Sequence, residues 1–385
     1  MKTGAVGDED WDLLASFFPR RWKELARESG TLKGLRQDKS PESCLRVLLL
    51  HLGCGFSLRE TVLRARQAGL ARLSDVALLK RLRKSKEWLW RLCCSLLAER
   101  AIGPAMGTQR SLRLIDATVV KEPGQTGSQW RIHYSFQWPR LECDYFKVTP
   151  SEGKETGESL RHYPLSAGDY ILVDRGYCHA SGLHFAASRK AYVTVRLNPQ
   201  GIRLETRSGG LFALLAKLKA IRRAGQISEW NVWVPLEGQS PVAARLCVIR
   251  KSQTAILRAE RKLQRSSSKH GTNLQPETLV YAQYVMVLTT FPCDEFPADA
   301  ILQGYRFRWQ IEVLFKRLKQ IAQLGHLPKH DEESAKAWLY GKLFVALLAD
   351  KLIHQANALS PWGVRSRQFP RAAAGGVSFP LPCIR

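Results

Sequence analysis

Acidic residues are scarce in this chain: 34 Asp and Glu stand against 59 Lys and Arg, a formal net charge of +25. Solubility does not require such an excess, so a polyanionic partner is the simplest reason to carry it. The chain also lacks any run of 18 apolar residues, and no basic stretch leads into an apolar signal core. A membrane span and a secretory leader are therefore not expected, and the chain reads as soluble and unexported. The nine cysteines contain no C-x-x-C pair and are odd in number, which argues against a disulfide framework and against a zinc ribbon. They read as reduced, buried thiols. No internal repeat is evident. What is present is a 385-residue chain, 45% hydrophobic, long enough for two or three domains.

The first part of the chain, 1–108, reads as helical throughout. Ser57-Leu58-Arg59-Glu60 is a capping box that opens a helix running to Gln67. Ala68-Gly69-Leu70 breaks it, and Ser74-Asp75 caps a second helix expected from Val76 to about Leu97. That second helix carries Lys80, Arg81, Arg83, Lys84 and Lys86. The pattern suits a helix-turn-helix reader of a DNA duplex, and it suits a basic helical bundle equally well.

The periodicity changes near residue 110. Leu112 to Val120, Trp130 to Phe136 and Cys143 to Thr149 read as three strands joined by short turns. A helical piece around Glu155 to Arg161 follows, then an apolar strand from Tyr170 that ends in the acid Asp174, a helix from His179 to Lys190 and the strand Tyr192 to Leu197. The order β-β-β-α-β-α-β is similar to that of an RNase H-like domain, a mixed α/β sheet flanked by helices. Asn198-Pro199 interrupts it. Beyond lie alternating runs at Ile227 to Val234 and Ala244 to Arg250, and a basic stretch from Lys251 to Lys269 whose Ser266-Ser267-Ser268 end looks loop-like. The core resumes at Tyr284 to Thr290, and an apolar helix is expected over about Ala335 to Gln355. The expected division is a DNA-binding domain 1–108, a core split into 109–198 and 283–356, a β-rich insertion 199–282 and a poorly ordered tail 357–385.

Three acids stand out by position. Asp116 lies inside the first strand of this core and Asp174 at the end of a later one. Glu312 lies in Tyr305-Arg306-Phe307-Arg308-Trp309-Gln310-Ile311-Glu312, a stretch without Gly or Pro that reads as helix. At about 100° per residue, Tyr305, Arg308, Glu312, Lys316 and Lys319 fall within one arc of about 80°. A solvated, salt-bridged face explains Glu312 with Lys316 but does not call for Tyr305 or Arg308. An acid within an apolar strand is costly unless paired or metal-bound, so Asp116 and Asp174 raise a metal-site hypothesis. Taken singly, each acid also fits a structural role at a strand edge or turn, and Asp144 and Asp169 are read that way.

The spacing Tyr305-x2-Arg308-x3-Glu312-x6-Lys319 matches the YREK signature, and the chain resembles the DDE transposases of the insertion sequence four group over about residues 40 to 355. Ile115-Asp116-Ala117-Thr118 and Val173-Asp174-Arg175-Gly176-Tyr177 look like that group's first and second acid motifs. The resemblance implies that Asp116, Asp174 and Glu312 bind two Mg²⁺ ions about 3.5 to 4 Å apart, with Mn²⁺ able to substitute. It implies that Tyr305, Arg308 and Lys319, with Lys316 and Arg175 beside them, contact double-stranded DNA. Transposon terminal inverted repeats and target DNA would be the substrates, and a homodimer on the DNA ends the acting species. Hydrolysis followed by hairpin formation, reopening and strand transfer is the implied reaction. A bacterial, cytoplasmic location, on the nucleoid when DNA-bound, is implied as well. An insertion-domain aromatic that holds a flipped base is a family feature, for which Trp230, Trp233 and Tyr284 are candidates that also suit a core. An inactive DNA-binding regulator of the element and an RNase H-like nuclease are the competing readings.

Overall fold

Along the first strand, β1 (Leu112–Lys121), Leu112, Leu114 and Val120 join one buried cluster while Ile115 joins another. Successive side chains of a strand point to opposite faces, so the sheet built on β1 has a core on each side. The computed structural model describes residues 6–34, 40–101, 112–121, 129–138, 142–153, 156–271, 273–308, 327 and 331–359.

β2 (Gln129–Trp138) and β3 (Glu142–Pro150) complete an antiparallel meander with β1. On the other side of β1 stand β4 (Tyr170–Val173) and then β5 (Tyr192–Arg196), both parallel to it. This is the RNase H-like arrangement that the element order leads one to expect. β6 (Ile227–Leu236) and β7 (Gln239–Arg250) form a hairpin, and β8 (Tyr284–Thr289) lies antiparallel between β7 and β5. β6 and β7 therefore extend the sheet, whose eight strands run β3-β2-β1-β4-β5-β8-β7-β6.

The helical layer contains α1 (Val6–Ser16), α2 (Trp22–Glu28), α3 (Pro41–Leu52), α4 (Leu58–Gln67), α5 (Asp75–Lys84) and α6 (Lys86–Ala101). Both serine N-caps form as expected: Ser57 Oγ accepts from the Glu60 N–H at 3.2 Å, and Ser74 Oγ accepts from the Ala77 N–H at 3.2 Å, while the Glu60 carboxylate pairs with Arg64. One helix was expected from Val76 to Leu97, but Ser85 divides it into α5 and α6. Its hydroxyl donates back to the Arg81 carbonyl at 2.8 Å, the local bond by which serine competes with helical continuation. Trp11, Phe18, Trp22 and Trp88 stack edge-on and face-on through this layer.

The remaining helices are α7 (Ala180–Ser188), α8 (Leu214–Lys219), α9 (Gln253–His270), α10 (Pro276–Ala282), α11 (Ala298–Tyr305) and α12 (Glu332–Leu359). α12 packs on α3, α5, α6 and β3, so the last described helix ties the first helices to the sheet. Two expectations fail locally. The piece around Glu155 to Arg161 contains only a 3-10 turn, Leu160–His162, because Gly157 and Pro164 bracket it; residue 155 itself lies outside the described residues. The Ser266–Ser268 segment is helical, part of α9, which starts at the Ser252 cap and ends at Gly271 with φ +61°. Strong helix formers before it and a left-handed glycine after it outweigh three serines.

Candidate active site

Strand register brings the first two acids together. β1 and β4 are parallel neighbours with Leu114 opposite Leu172, and Asp116 and Asp174 each lie two residues beyond that pair. Both carboxyl groups thus arrive at the C-terminal end of β4. Asp174 leads into a 3-10 turn, Arg175–Tyr177. The Asp116 carboxylate accepts only the Ala117 N–H, at 2.8 Å, among the described residues. Its pKa is raised to about 7, chiefly by burial, with the charges of Asp174 and Glu158 adding to the rise and the Ala117 N–H and Arg308 opposing it. Arg308 Nε stands 3.6 Å from Asp174 Oδ1. One guanidinium therefore acts on both carboxylates.

Tyr305 explains how Arg308 gets there. It ends α11, is buried, and donates its hydroxyl to the Val173 carbonyl at 3.0 Å. Burial, then the Asp174 charge, pushes that hydroxyl's pKa well above the usual tyrosine range. The phenol pins the end of α11 to the end of β4, and the 3-10 turn Arg306–Arg308 carries Arg308 to Asp174. Tyr305→Phe is expected to cost about 1 to 2 kcal/mol, because the buried Val173 carbonyl is left without its donor. A urea midpoint equal to that of the wild type would show that this bond contributes nothing.

A second brace holds Asp116. Tyr163 donates its hydroxyl to the Asp116 backbone carbonyl at 3.0 Å and lies 3.0 Å from the hydroxyl of Tyr177, in the turn after Asp174. Both phenols are buried. The two acid-bearing segments are therefore coupled through a pair of hydroxyls that no spacing rule predicts.

Glu158 is the acid that sequence reasoning missed. Its carboxylate lies against Gly176, where an added Cβ would overlap it, so the glycine of Asp174-Arg175-Gly176 is the room Glu158 needs. Burial raises its pKa; Arg131 and His179 oppose that rise, and Asp174 adds to it. The backbone before it is clamped twice. Arg131 Nη1 donates to the Thr156 carbonyl at 2.9 Å, and His162 Nε2 lies 3.0 Å from the Gly157 carbonyl. Lys147 Nζ, 3.4 Å from His162 Nδ1, donates to that nitrogen and so makes Nε2 the donor.

The other named residues divide clearly. Arg175 is exposed, with Nη2 donating to Asn198 Oδ1 at 2.9 Å. Asp144 and Asp169 both stand 2.9 Å from the buried Arg113 guanidinium, the structural role expected of them. Tyr284 is buried with its hydroxyl on the Leu218 carbonyl at 2.8 Å, a core position, while Trp230 and Trp233 are half-buried on β6. Glu312, Lys316 and Lys319 lie outside the described residues. Among the described residues, no three His, Cys, Asp or Glu side chains group closely enough to hold a cation. Of the cations flagged on α5 and at the start of α6, most are used internally. Arg83 binds Asp331 at 2.7 Å, Lys84 donates to the Lys33 carbonyl at 3.0 Å, Lys86 binds Glu333 at 2.7 Å, and Arg81 is buried. Lys80 and the preceding Arg72 are exposed. No described helix is long and apolar enough to cross a membrane.

Comparison with known proteins gives a consistent result. Residues 149–348 match the family model described as transposase DDE domain, a span that takes in Asp174 and the Tyr305–Lys319 stretch. The chain is 31% identical, over 92% of its length and 96% of the relative's, to the putative transposase InsL of insertion sequence element IS186A from Escherichia coli strain K12. It is also 31% identical, over 92% of its length and 96% of the relative's, to the transposase of element IS421 from Escherichia coli. More distantly, it is 22% identical over 65% of its length to the transposase of element IS231F from Bacillus thuringiensis subsp. israelensis, covering 58% of that protein.

Proposed function

The chain belongs to the DDE transposases of insertion sequences, enzymes that cleave DNA and transfer its strands with divalent metal ions, and we propose that Asp116, Asp174 and Glu312 are its metal ligands. The observation that carries the reading is the β1–β4 register, which delivers two carboxylates to one strand end with a single arginine facing them. The donor set fits a hard divalent cation. Asp116 accepts one backbone N–H among the described residues while Asp174 and Glu158 repel its charge, the condition that an added cation relieves. When bound, Mg²⁺, as two ions, supplies Lewis-acid charge for phosphoryl displacement.

The chain's own residues do the rest. Asp116 and Asp174 present oxygens from a rigid sheet, and Tyr163, Tyr177 and Tyr305 fix the backbone behind them. Arg308, held at Asp174, is suited to neutralise a non-bridging oxygen of the scissile phosphate, and the exposed Arg175 to hold the neighbouring backbone. Glu158 adds a carboxylate at the rim, suited to positioning the Asp174 turn. Lys316 and Lys319 complete the proposed DNA contacts, with Glu312 as third ligand. The helices of 1–108 are proposed to read terminal inverted repeats through the α4–α5 pair, with Arg72 and Lys80 outward. The proposed reaction passes through hairpin ends and runs in a homodimer.

The test uses full-length protein, duplexes ending in the element's inverted repeat, and Mg²⁺. Cleavage at the repeat boundary followed by joining to a second duplex supports the reading. Cutting without joining would leave a nuclease, and binding without cutting a regulator.

Asp116 also sets a pH dependence. Its folded pKa, about 7, lies above that of an unfolded aspartate, so it favours folding of the metal-free protein fully below about pH 4. That contribution is lost as pH rises through about 7. Proton and divalent ion compete for the same carboxylate, so metal affinity is expected to rise about tenfold per pH unit and level off above about 7. Calorimetric titration with Mn²⁺ across this range checks it; an affinity independent of pH counts against Asp116 as a ligand.

A further inference from the structure

The surface of α9 is unlike that of the other helices. Arg258, Arg261, Lys262, Arg265 and Lys269 are all exposed, and at about 100° per residue they share one arc of about 100°. Ile256, the buried residue of the helix, and Leu263 lie on the opposite side, towards α10. Glu260 is the one acid in the helix and falls on that inner side. On other helices some cations are matched by an acid one turn away: Arg64 with Glu60, Arg91 with Glu87, Lys336 with Glu332. Among the described residues, none of the five α9 cations has an ion-pair partner. A helix that needs charge only for solubility gains from such i,i+4 pairing, and α9 forgoes it.

The topology sets this stripe at the catalytic end of the sheet. Arg250, the last residue of β7, pairs with Tyr284, the first of β8. β8 is antiparallel to β5, with Arg196 opposite Val287, so Tyr284 lies past the C-terminal end of β5. β5 is parallel to β4, whose C-terminal end leads into Asp174. α9 therefore springs from the sheet end that bears Asp174. Its root adds positive charge, with Arg196 close enough to Lys251 to lower that lysine's pKa, after burial as the larger cause.

We propose that the basic stripe of α9 is a phosphate-tracking surface that holds the backbone of duplex DNA alongside the cleavage site, without reading sequence. From Arg258 to Lys269 the helix rises about 16 Å, and duplex DNA offers one negative charge per about 1.7 Å of axis. Five cations along one line suit that repeat. A lipid surface suits it less, because a membrane-bound amphipathic helix needs its apolar face free, and here Ile256 is already buried in the protein. The proposal rests on the transposase reading for the identity of the polyanion.

The test compares the full-length protein with the triple variant Arg258→Gln, Arg261→Gln, Arg265→Gln, in which glutamine keeps helix propensity. Binding to an inverted-repeat duplex and to a random-sequence duplex is measured against salt concentration. Loss of three phosphate contacts should make the log–log salt slope shallower by about 2.7, with affinity at low salt down by about 10- to 100-fold. The Arg→Lys triple variant should keep the wild-type slope, and unchanged thermal unfolding in both variants shows that the fold is intact. Loss on both duplexes assigns the surface to target and donor DNA alike; loss on the repeat duplex alone assigns it to the element's ends. A wild-type slope in the glutamine variant overturns the proposal, as does loss of anionic-vesicle binding with duplex binding intact. If instead the slope changes as expected but the wild-type protein never cuts, the transposase reading fails and the surface stands.

Discussion

Replacing Asp174 by Asn is expected to lower the rate of strand cleavage by at least about 1000-fold, roughly 4 kcal/mol on the barrier, while duplex binding changes little. The substitution keeps the shape of the side chain and removes its charge. Two consequences follow at once. The proposed metal site loses one of its anionic oxygens, and Arg308, 3.6 Å away, loses one of the carboxylates it acts on while keeping Asp116. Asp116→Asn should give the same phenotype chiefly by the first route, since among the described residues its carboxylate accepts only a backbone N–H and feels Arg308 at longer range. Single-turnover cleavage of a pre-bound duplex separates chemistry from binding. An Asp174→Asn protein that cuts within tenfold of the wild-type rate would remove this residue from the catalytic site.

Replacing Arg113 by Ala is expected to destabilise the protein by about 3 to 5 kcal/mol. Arg113 is buried on β1 and holds four partners: Asp144 and Asp169 at 2.9 Å each, Ser135 Oγ at 3.0 Å and the Pro164 carbonyl at 2.8 Å. Removing the cation leaves two partly buried carboxylates facing each other without compensation. Those partners sit on β2, on β3 and on the loop that leads into β4, so Arg113 also locks the β1–β4 register on which the two proposed catalytic acids depend. Denaturant unfolding measures the cost. Adding Asp144→Asn and Asp169→Asn to the Arg113→Ala protein should recover much of it, since the orphaned charges cause most of the loss. A cost under about 1 kcal/mol, or no recovery in the triple variant, would show that the cluster is not a buried ion network.

Much of the architecture was legible because its causes are local. Ser57 and Ser74 cap the helices that their spacing predicts, and the apolar runs at Leu112, Tyr170 and Tyr192 become β1, β4 and β5. The misreadings have local causes too, of a weaker kind. Ser85 breaks a helix through one side-chain bond, and the serines at 266–268 are carried along by the helix formers before them. Neither outcome can be settled by composition, because the competing energies differ by about 1 kcal/mol or less.

For the site, the residue types and their order in the chain were determined by the sequence itself. An acid inside β1, an acid at the end of β4 followed by Arg-Gly, and a tyrosine three residues before an arginine are facts of the chain, and they carried the family with them. Tertiary structure alone decided what those residues do for one another. The partnership of Asp116 with Asp174 depends on β1 and β4 pairing in parallel across an intervening meander, and the Glu158 carboxylate lies in the space that Gly176 leaves. Tyr305 turns its hydroxyl onto the Val173 carbonyl, where it positions Arg308. The stripe on α9 was visible as a run of charge, but its root at the sheet end that bears Asp174 follows from the antiparallel pairing of β8 with β5. Strand pairing joins residues far apart in the chain, and hydrogen bonds and burial, which no local spacing encodes, fix the outcome.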